Sequence, residues 1–230
     1  MKRLVLLGEG HGEVAALPVL VSRLLKEKDT SNSLFVDRDV VRTSPSRLVR
    51  WDKPKQKPDH SEWISRITLA SRRREVGGVL AVYDGDATMF PAGSSNAFCA
   101  STAAKSMAAA AVSAGAGKMF SLCVVFACSE YETWLVAGAE SLAGRQLQDG
   151  RLALPADIRF PTGDPESHGK RWLEDNCLNY RPTRDQAPLT ELLDFELVRT
   201  RKLRSFLRLE HAIAQLIEAV ANGRHISTPF

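Results

Sequence analysis

The sequence predicts an α/β protein with a parallel four-stranded sheet flanked by helices and a mainly helical C-terminal extension. Short apolar runs, typical of buried strands, alternate with segments of helical periodicity. Parallel strands need helical crossovers of this kind. The length of 230 residues, 44% of them apolar and 25% charged, suits one globular domain with an appended subdomain.

The first strand and helix are predicted near the N-terminus. Residues 4–7 form a short apolar run, which predicts a strand. Residues 14–25 carry apolar side chains at helical spacing and precede a polar turn, which predicts a helix. Residues 34–41 are rich in β-forming residues and predict the second strand, so the alternation begins again there.

The alternation continues to about residue 127. Residues 61–74 can form an amphipathic helix, and residues 78–83 form a buried run that predicts the third strand. The alanine-rich segment 97–116 has strong helix propensity, and residues 121–127 predict the fourth strand. These elements predict an α/β domain, which we place at residues 1–144.

Residues 145–230 are expected to form a mainly helical subdomain. As far as residue 186 the segment mixes Pro, Asp and Arg without a clear period. An apolar stripe then predicts a core-facing helix, and its residues are Leu203, Phe206, Leu207, Ile213, Leu216, Ile217 and Val220. Three arginines are predicted on another face of that helix, beside Lys202: Arg201, Arg204 and Arg208.

The compartment predicted from the sequence is the cytoplasm. No apolar run approaches the roughly 18 residues of a membrane span, and the N-terminal run has no cleavage site behind it. The four cysteines form no Cys-x-x-Cys pair, which favours reduced thiols over a disulfide framework or a zinc site; they are Cys99, Cys123, Cys128 and Cys177.

Acidic residues follow three of the four predicted strands. Ligands of parallel α/β sheets gather at the carboxyl ends of the strands. Carboxylates massed there would repel one another unless a cation neutralised them, and Mg²⁺ or Mn²⁺ prefers such oxygen ligands. In chain order the acids are Glu9 and Glu13, then Asp84 and Asp86, then Glu130 and Glu132.

A glycine-rich turn carries the first two acids. Gly8, Gly10 and Gly12 let the backbone turn sharply, with Glu9 at the strand end. Glu13 is predicted in the first turn of the helix, where it could face the same metal or simply complement the helix dipole.

Residues 42–57 form a basic, proline-containing loop. It holds six cations against the single acid Asp52, with Trp51 among them. Such a loop could follow a phosphate backbone and stack a base, or it could be a solvated loop. The cations are Arg42, Arg47, Arg50, Lys53, Lys55 and Lys57.

Two of these motifs together resemble the Toprim domain of topoisomerases, primases and overcoming-lysogenization-defect nucleases. They are Leu-Gly-Glu-Gly-His-Gly-Glu at residues 7–13 and Tyr-Asp-Gly-Asp-Ala at residues 83–87. The hallmark of that domain is a glutamate after the first strand and Asp-x-Asp after the third. The resemblance implies a Toprim or Rossmann-like sheet.

A narrower resemblance is to a Toprim-related family of unknown function, of the DUF4276 type, and it covers about residues 4–216. Its members are often encoded beside AAA-type or SMC-like ATPases, sometimes in phage-defence settings. The family tends to place lysine where this chain has Pro182, so no lysine role transfers there. The motifs that carry the resemblance are Glu-Tyr-Glu-Thr-Trp-Leu (130–135), Lys-Arg-Trp-Leu (170–173), Tyr-Arg-Pro-Thr-Arg-Asp-Gln (180–186) and Arg-Ser-Phe (204–206).

The resemblance implies a metal-dependent nuclease. One ion would lower the pKa of a bound water, and a second would stabilise the leaving oxygen. The residues that match the catalytic acids are Glu9, Asp84 and Asp86. The predicted ligands of Mg²⁺ or Mn²⁺ are Glu9, Glu13, Asp84, Asp86 and Glu132. Glu130 and Glu132 do not share a helical face, and the place of Glu132 in Glu-Thr-Trp favours Glu132.

The expected partners are nucleic acid, DNA rather than RNA, and an AAA-type or SMC-like ATPase; no membrane partner is expected, and a homo-oligomer is left open. Lys170 or Lys202 could stabilise charge in the transition state, and their spacing does not choose between them. The predicted nucleic-acid-binding residues are Arg47, Arg50, Trp51, Lys53, Lys170, Arg201, Lys202 and Arg204.

Two other functions fit the same acids. In a haloacid-dehalogenase-type phosphatase, Asp84 would attack phosphorus and Asp86 would handle a proton. That reaction needs a later lysine and a later pair of acids, and the one weak match to these is at residues 163–166. The chain could also be a non-catalytic scaffold or regulatory subunit. The glycines match neither a Rossmann nor a Walker motif, so we expect any ATP to be bound by another subunit.

Overall fold

The structure is a computed structural model that describes residues 1–161 and 168–229. The strands of the described residues are β1 (Lys2–Gly8), β2 (Leu34–Val36), β3 (Val41–Arg42), β4 (Arg50–Asp52), β5 (Lys57–Asp59), β6 (Val76–Asp84), β7 (Ser121–Ala127) and β8 (Ser227–Thr228). The helices are α1 (His11–Lys28), α2 (Pro45–Leu48), α3 (Ser61–Ser71), α4 (Ala100–Ala111), α5 (Glu132–Ala137), α6 (Ala139–Leu142), α7 (Gly169–Asn176), α8 (Pro182–Leu192), α9 (Phe195–Thr200) and α10 (Arg204–Ala221).

The main sheet is parallel throughout the described residues, which confirms the predicted fold class. Its strand order is β2-β1-β6-β7-β8, and β3 extends the β2 side by pairing with the end of β1. Helices cover both faces, so β1 and β7 read as continuous apolar runs rather than alternating ones. A separate antiparallel hairpin joins β4 to β5.

Alternate residues of β1 enter two hydrophobic cores. Leu4 and Leu6 face one core, which α1 and α10 help to build, whereas Val5 and Leu7 face the other, with α3 and α4. This division follows from the two-residue period of a strand. The predicted domain boundary at residue 144 stays a prediction, and helices from both sides of it share the first core.

The predicted second strand over residues 34–41 is wrong as a single element. It is broken into β2 and β3, and both pair with β1. The break begins at Asp37, whose buried carboxylate accepts hydrogen bonds from Arg3 at 2.9 Å and Arg73 at 2.8 Å. The strand β8 was not predicted either, because two residues carry no periodicity.

The predicted face of three arginines on one helix is also wrong. Lys202 has a φ of 55°, which ends α9 and separates it from α10. Arg201 therefore lies in the turn, where it pairs with Glu140 at 2.7 Å and lies over the ring of Phe160. Arg208 hydrogen-bonds to Gln215 and Thr228 instead of facing a ligand.

No helix among the described residues combines the length and the apolar character that crossing a membrane requires.

The packing of α10 against the sheet can be tested with two leucines of that helix. Leu216 is fully buried against Gly78, whereas Leu207 is 44% exposed. We expect Leu216→Ala to lower the free energy of unfolding in urea by about 2–5 kcal/mol. Leu207→Ala, the matched control, should change it by less than about 1 kcal/mol. Equal small losses at both positions would contradict this packing.

Candidate metal centre

The carboxyl ends of β1, β6 and β7 lie side by side in the middle of the sheet. The strands are in register there, with Leu7 opposite Ala81 and Asp84 opposite Ala127. Five acidic side chains gather at these ends and interact electrostatically, and we call them the acidic centre: Glu9, Glu13, Asp84, Asp86 and Glu132. The structure thus brings together the five predicted metal ligands.

The turn after β1 is held by Glu13. Gly10 caps α1 without a side-chain hydrogen bond, and Glu13, the third residue of the helix, reaches back to the turn before it. The buried carboxylate of Glu13 accepts from the N–H of Glu9 at 3.0 Å and from the N–H of Gly10. A side chain at Gly12 would overlap Gln186 and Pro182 of α8, which explains a glycine there. Glu13 therefore fixes the turn that presents Glu9.

Asp84 is tied to both neighbouring strands. Its carboxylate accepts from the N–H of Tyr131, after β7, at 2.8 Å. Its own N–H donates to the carboxylate of Glu9. The next residue, Gly85, donates to Ser129 at 2.7 Å, and a Cβ there would come within 2.5 Å of the Ala127 carbonyl oxygen. The backbone therefore fixes Asp84 between the ends of β1 and β7.

A residue from the C-terminal part of the chain hydrogen-bonds to the fifth acid, Glu132. Glu132 is buried, and its carboxylate accepts from the hydroxyl of Tyr180 at 3.0 Å. Gln186, in the same motif as Tyr180, packs against Gly12. Sequence reasoning gave neither residue a role, because a tyrosine 48 residues from its partner shows no local pattern. The motif at 180–186 was the one available signal.

Burial and the charges of neighbouring acids raise the pKa values of Glu9, Glu13 and Asp84 in the acidic centre. Burial raises the pKa of Glu9 to about 7, and the charges of Glu13 and Asp86 add to this. Burial, with the charges of Glu13 and Glu132, raises the pKa of Asp84 well above its ordinary value. The pKa of Glu13 is raised as well, first by burial. In the described part of the chain, no cationic side chain forms a salt bridge with any of these five acids.

Lys170 lies beside Glu130, which follows the end of β7. Burial raises the pKa of Glu130, with the charges of Glu132 and Asp86, while the backbone N–H and the ammonium of Lys170 oppose the rise. Of the two lysines proposed for charge stabilisation, the structure therefore places Lys170 beside an acid at this edge. Lys202 is exposed in the turn between α9 and α10.

The ligand atoms of the acidic centre suit a hard divalent cation, but the arrangement of its side chains does not. All five offer carboxylate oxygens, the ligands that Mg²⁺ and Mn²⁺ prefer. Among residues 1–161 and 168–229, no group of three or more acidic, His or Cys side chains is arranged so that it could hold a metal ion. The carboxylate of Glu13 is turned onto the backbone of Glu9 and Gly10.

A cleft of about 670 Å³ opens beside Glu9. No carboxylate of the described residues pairs with three of its arginines, Arg42, Arg47 and Arg50, whereas Arg66 pairs with Glu62 at 2.7 Å. We call this the arginine cleft. Its lining residues are Glu9, Arg42, Thr43, Ser44, Arg47, Leu48, Arg50, Asp59, Ser61, Glu62 and Arg66.

The other predicted nucleic-acid-binding residues have different positions. Trp51 lies in β4 and Lys53 in the turn after it, and neither lines the arginine cleft. Arg201, Lys202 and Arg204 lie between α9 and the start of α10, and within the described residues none contacts the acidic centre. The structure therefore joins Arg47, Arg50 and Lys170 to the site, and not the remaining five.

Fold and site define an α/β domain with a parallel sheet and an acidic centre at the carboxyl ends of three strands. The sequence matches the family described as a domain of unknown function (DUF4276) over residues 8–214, and the chain belongs to that family. The match confirms the narrower resemblance at the level of this family. No curated protein and no solved structure matches the chain.

The raised pKa of Glu9 predicts how stability depends on pH in EDTA. The folded protein holds the proton of Glu9 up to about pH 7, whereas the unfolded chain releases it near the ordinary value of 4.5. The stability this gives is present below about pH 4.5 and is lost as the pH rises towards 7. We expect Glu9→Gln to lose less stability than the wild type between pH 5 and 8.

Glu174→Gln is the matched control for this measurement, because Glu174 is an exposed carboxylate on α7. Urea unfolding at several pH values should give the same pH dependence for Glu174→Gln and the wild type. A pH dependence of Glu9→Gln as steep as that of the wild type would contradict the raised pKa.

Proposed function

We propose that the protein is a divalent-metal-dependent nuclease of the Toprim type that hydrolyses phosphodiester bonds. One observation carries the proposal: an acidic centre without a cationic partner among the described residues adjoins the arginine cleft, whose three unpaired guanidinium groups suit phosphates. The carboxylates suit a metal, and the arginines suit a polyanion. Phosphodiester hydrolysis needs both.

The repulsion within the acidic centre supports the metal. Carboxylates this close raise one another's pKa and resist ionisation together. A divalent cation would remove this cost by stabilising the ionised forms, with Glu9, Asp84 and Asp86 as its first ligands. When bound, Mg²⁺ or Mn²⁺ supplies an activated water and stabilises the leaving oxygen.

The chain's own groups would orient the reaction. The N–H of Tyr131 donates to one oxygen of Asp84, and the hydroxyl of Tyr180 donates to one oxygen of Glu132. The second oxygen of each carboxylate would then be available to a ligand. The arginine cleft would hold the phosphates on one side of the scissile bond. Lys170, beside Glu130, would stabilise negative charge on the attacked phosphate.

The Toprim assignment and the partners rest on the sequence motifs. A glutamate follows the first strand of the parallel sheet, and Asp-x-Asp begins at the last residue of β6. By resemblance, an AAA-type or SMC-like ATPase would act with the protein, in defence against foreign DNA. The glycine-rich segments match no ATP-binding motif, which supports an ATPase on another chain.

The phosphatase and scaffold alternatives stay open to the same experiments. The residues expected to supply the acids of a haloacid-dehalogenase-type phosphatase, 163–166, lie outside the described residues. The alternative scaffold would bind metal or nucleic acid without cutting, so substitutions of the acids that abolish assembly alone would support it.

Cleavage of plasmid and single-stranded DNA in Mn²⁺ or Mg²⁺ tests the nuclease. We expect cutting by the wild type and by the control Glu174→Gln, and a loss of at least about a hundredfold in Asp84→Asn, which keeps an acceptor for the N–H of Tyr131. Equal cutting by Asp84→Asn would point to a contaminant. No cutting by any form, with a candidate ATPase added, would favour the alternatives.

Tyr180 gives a separate test of the metal centre. Tyr180→Phe removes the hydrogen bond to Glu132, and such outer partners typically contribute 10–100-fold to metal affinity. We expect Mn²⁺ to bind about 10–100-fold more weakly in calorimetric titration. In the control Tyr131→Phe, the lost hydroxyl is buried but bonds to Thr190, so the affinity should stay near that of the wild type. Equal effects of both variants would contradict the role of Tyr180.

A further inference from the structure

Cationic groups lie on both sides of the acidic centre along the carboxyl edge of the sheet. The arginine cleft adjoins β3 and the end of β1, and Lys170 lies beyond the end of β7. The order across the edge is therefore arginines, Glu9 after β1, Asp84 at β6, Glu130 after β7, and Lys170.

The arginine side of this path is anchored by its backbone. Leu48 and Val49 are buried in the core, and the exposed Arg47 and Arg50 flank them directly. The N–H of Thr43 donates to the Gly8 carbonyl at 2.8 Å, which joins this wall of the cleft to the end of β1. The guanidinium groups therefore extend from a fixed backbone.

The backbone that carries Lys170 is also fixed by close packing. A Cβ at Gly169 would lie 2.7 Å from the backbone nitrogen of Thr133, so the start of α7 packs directly on the start of α5. This contact holds Lys170 next to Glu130, and Lys170 itself is exposed. Each cationic group has a fixed place at one end of the path.

The length of the path can be estimated from the sheet. Adjacent strands lie about 4.8 Å apart, so the three spacings from β3 to β7 cover about 14 Å. A strand that keeps the B-form rise of roughly 3.4 Å per nucleotide would place about four phosphates along this distance.

We infer that one single strand of nucleic acid crosses the carboxyl edge of the sheet at right angles to the β-strands, from the arginine cleft over the acidic centre to Lys170. This inference rests on the proposed function and adds the strandedness and path of its substrate. A concave cleft of about 670 Å³ is in the size range of small-ligand sites. Duplex DNA is instead read by helices or ribbons that protrude into a groove, whereas single strands follow charged grooves.

Binding in EDTA tests the path without requiring cleavage. Fluorescence anisotropy would compare a labelled 12-nucleotide single strand with the 12-base-pair duplex over a range of salt concentrations. We expect the single strand to bind at least tenfold more tightly. The slope of log K against log salt should fall by about 1.4 in the double variant Arg47→Ala, Arg50→Ala and by about 0.7 in Lys170→Ala, because each single-strand phosphate contact contributes about 0.7.

The matched control is the double variant Arg72→Ala, Arg74→Ala. These arginines are exposed and precede the start of β6, at the end of the sheet opposite the acidic centre. The control should keep the wild-type slope. Equal or tighter binding of the duplex, no binding of the single strand, or an equal loss of slope in the control would overturn the inference. Failure of the nuclease proposal would look different, since the single strand would bind as expected and stay uncut in Mn²⁺.

Discussion

Repulsion between carboxylates at three adjacent strand ends is the constraint on which the rest of the site depends. Glu9, Asp84 and Glu132 come from different segments, and the parallel sheet forces them to one edge. Burial makes the ionisation of Glu9 and Asp84 costly and raises the pKa of both carboxyl groups. The backbone N–H groups and the Tyr180 hydroxyl that bond to these acids limit this cost without removing it. A bound cation would offset the cost of ionising these buried carboxylates.

The C-terminal part of the chain completes both the core and the site. The helix α10 covers one face of the sheet, and the motif at 180–186 reaches the acidic centre through Tyr180 and Gln186. This explains in physical terms why the family match extends over residues 8–214 rather than ending with β7. The sheet alone would leave Glu132 without its hydroxyl donor.

The periodicity of the sequence predicts the elements whose formation depends on local sequence. The long helices and the strands β1, β6 and β7 were found because their buried faces repeat along the chain, and the acids were found because they follow those strands. The break at Asp37 depends on arginines 34 and 36 residues away, and the separation of Arg201 from α10 depends on the φ of one residue, Lys202. The arginine cleft and the role of Tyr180 arise from tertiary contacts that no local pattern encodes.

The most direct test of the metal centre is anomalous X-ray scattering from crystals of the protein grown with Mn²⁺. We expect an anomalous peak between Glu9 and Asp84, about 2.1 Å from their carboxylate oxygens, with Asp86 turned towards it. A well-ordered acidic centre without a peak, its Glu13 carboxylate still on the N–H of Glu9, would contradict the account.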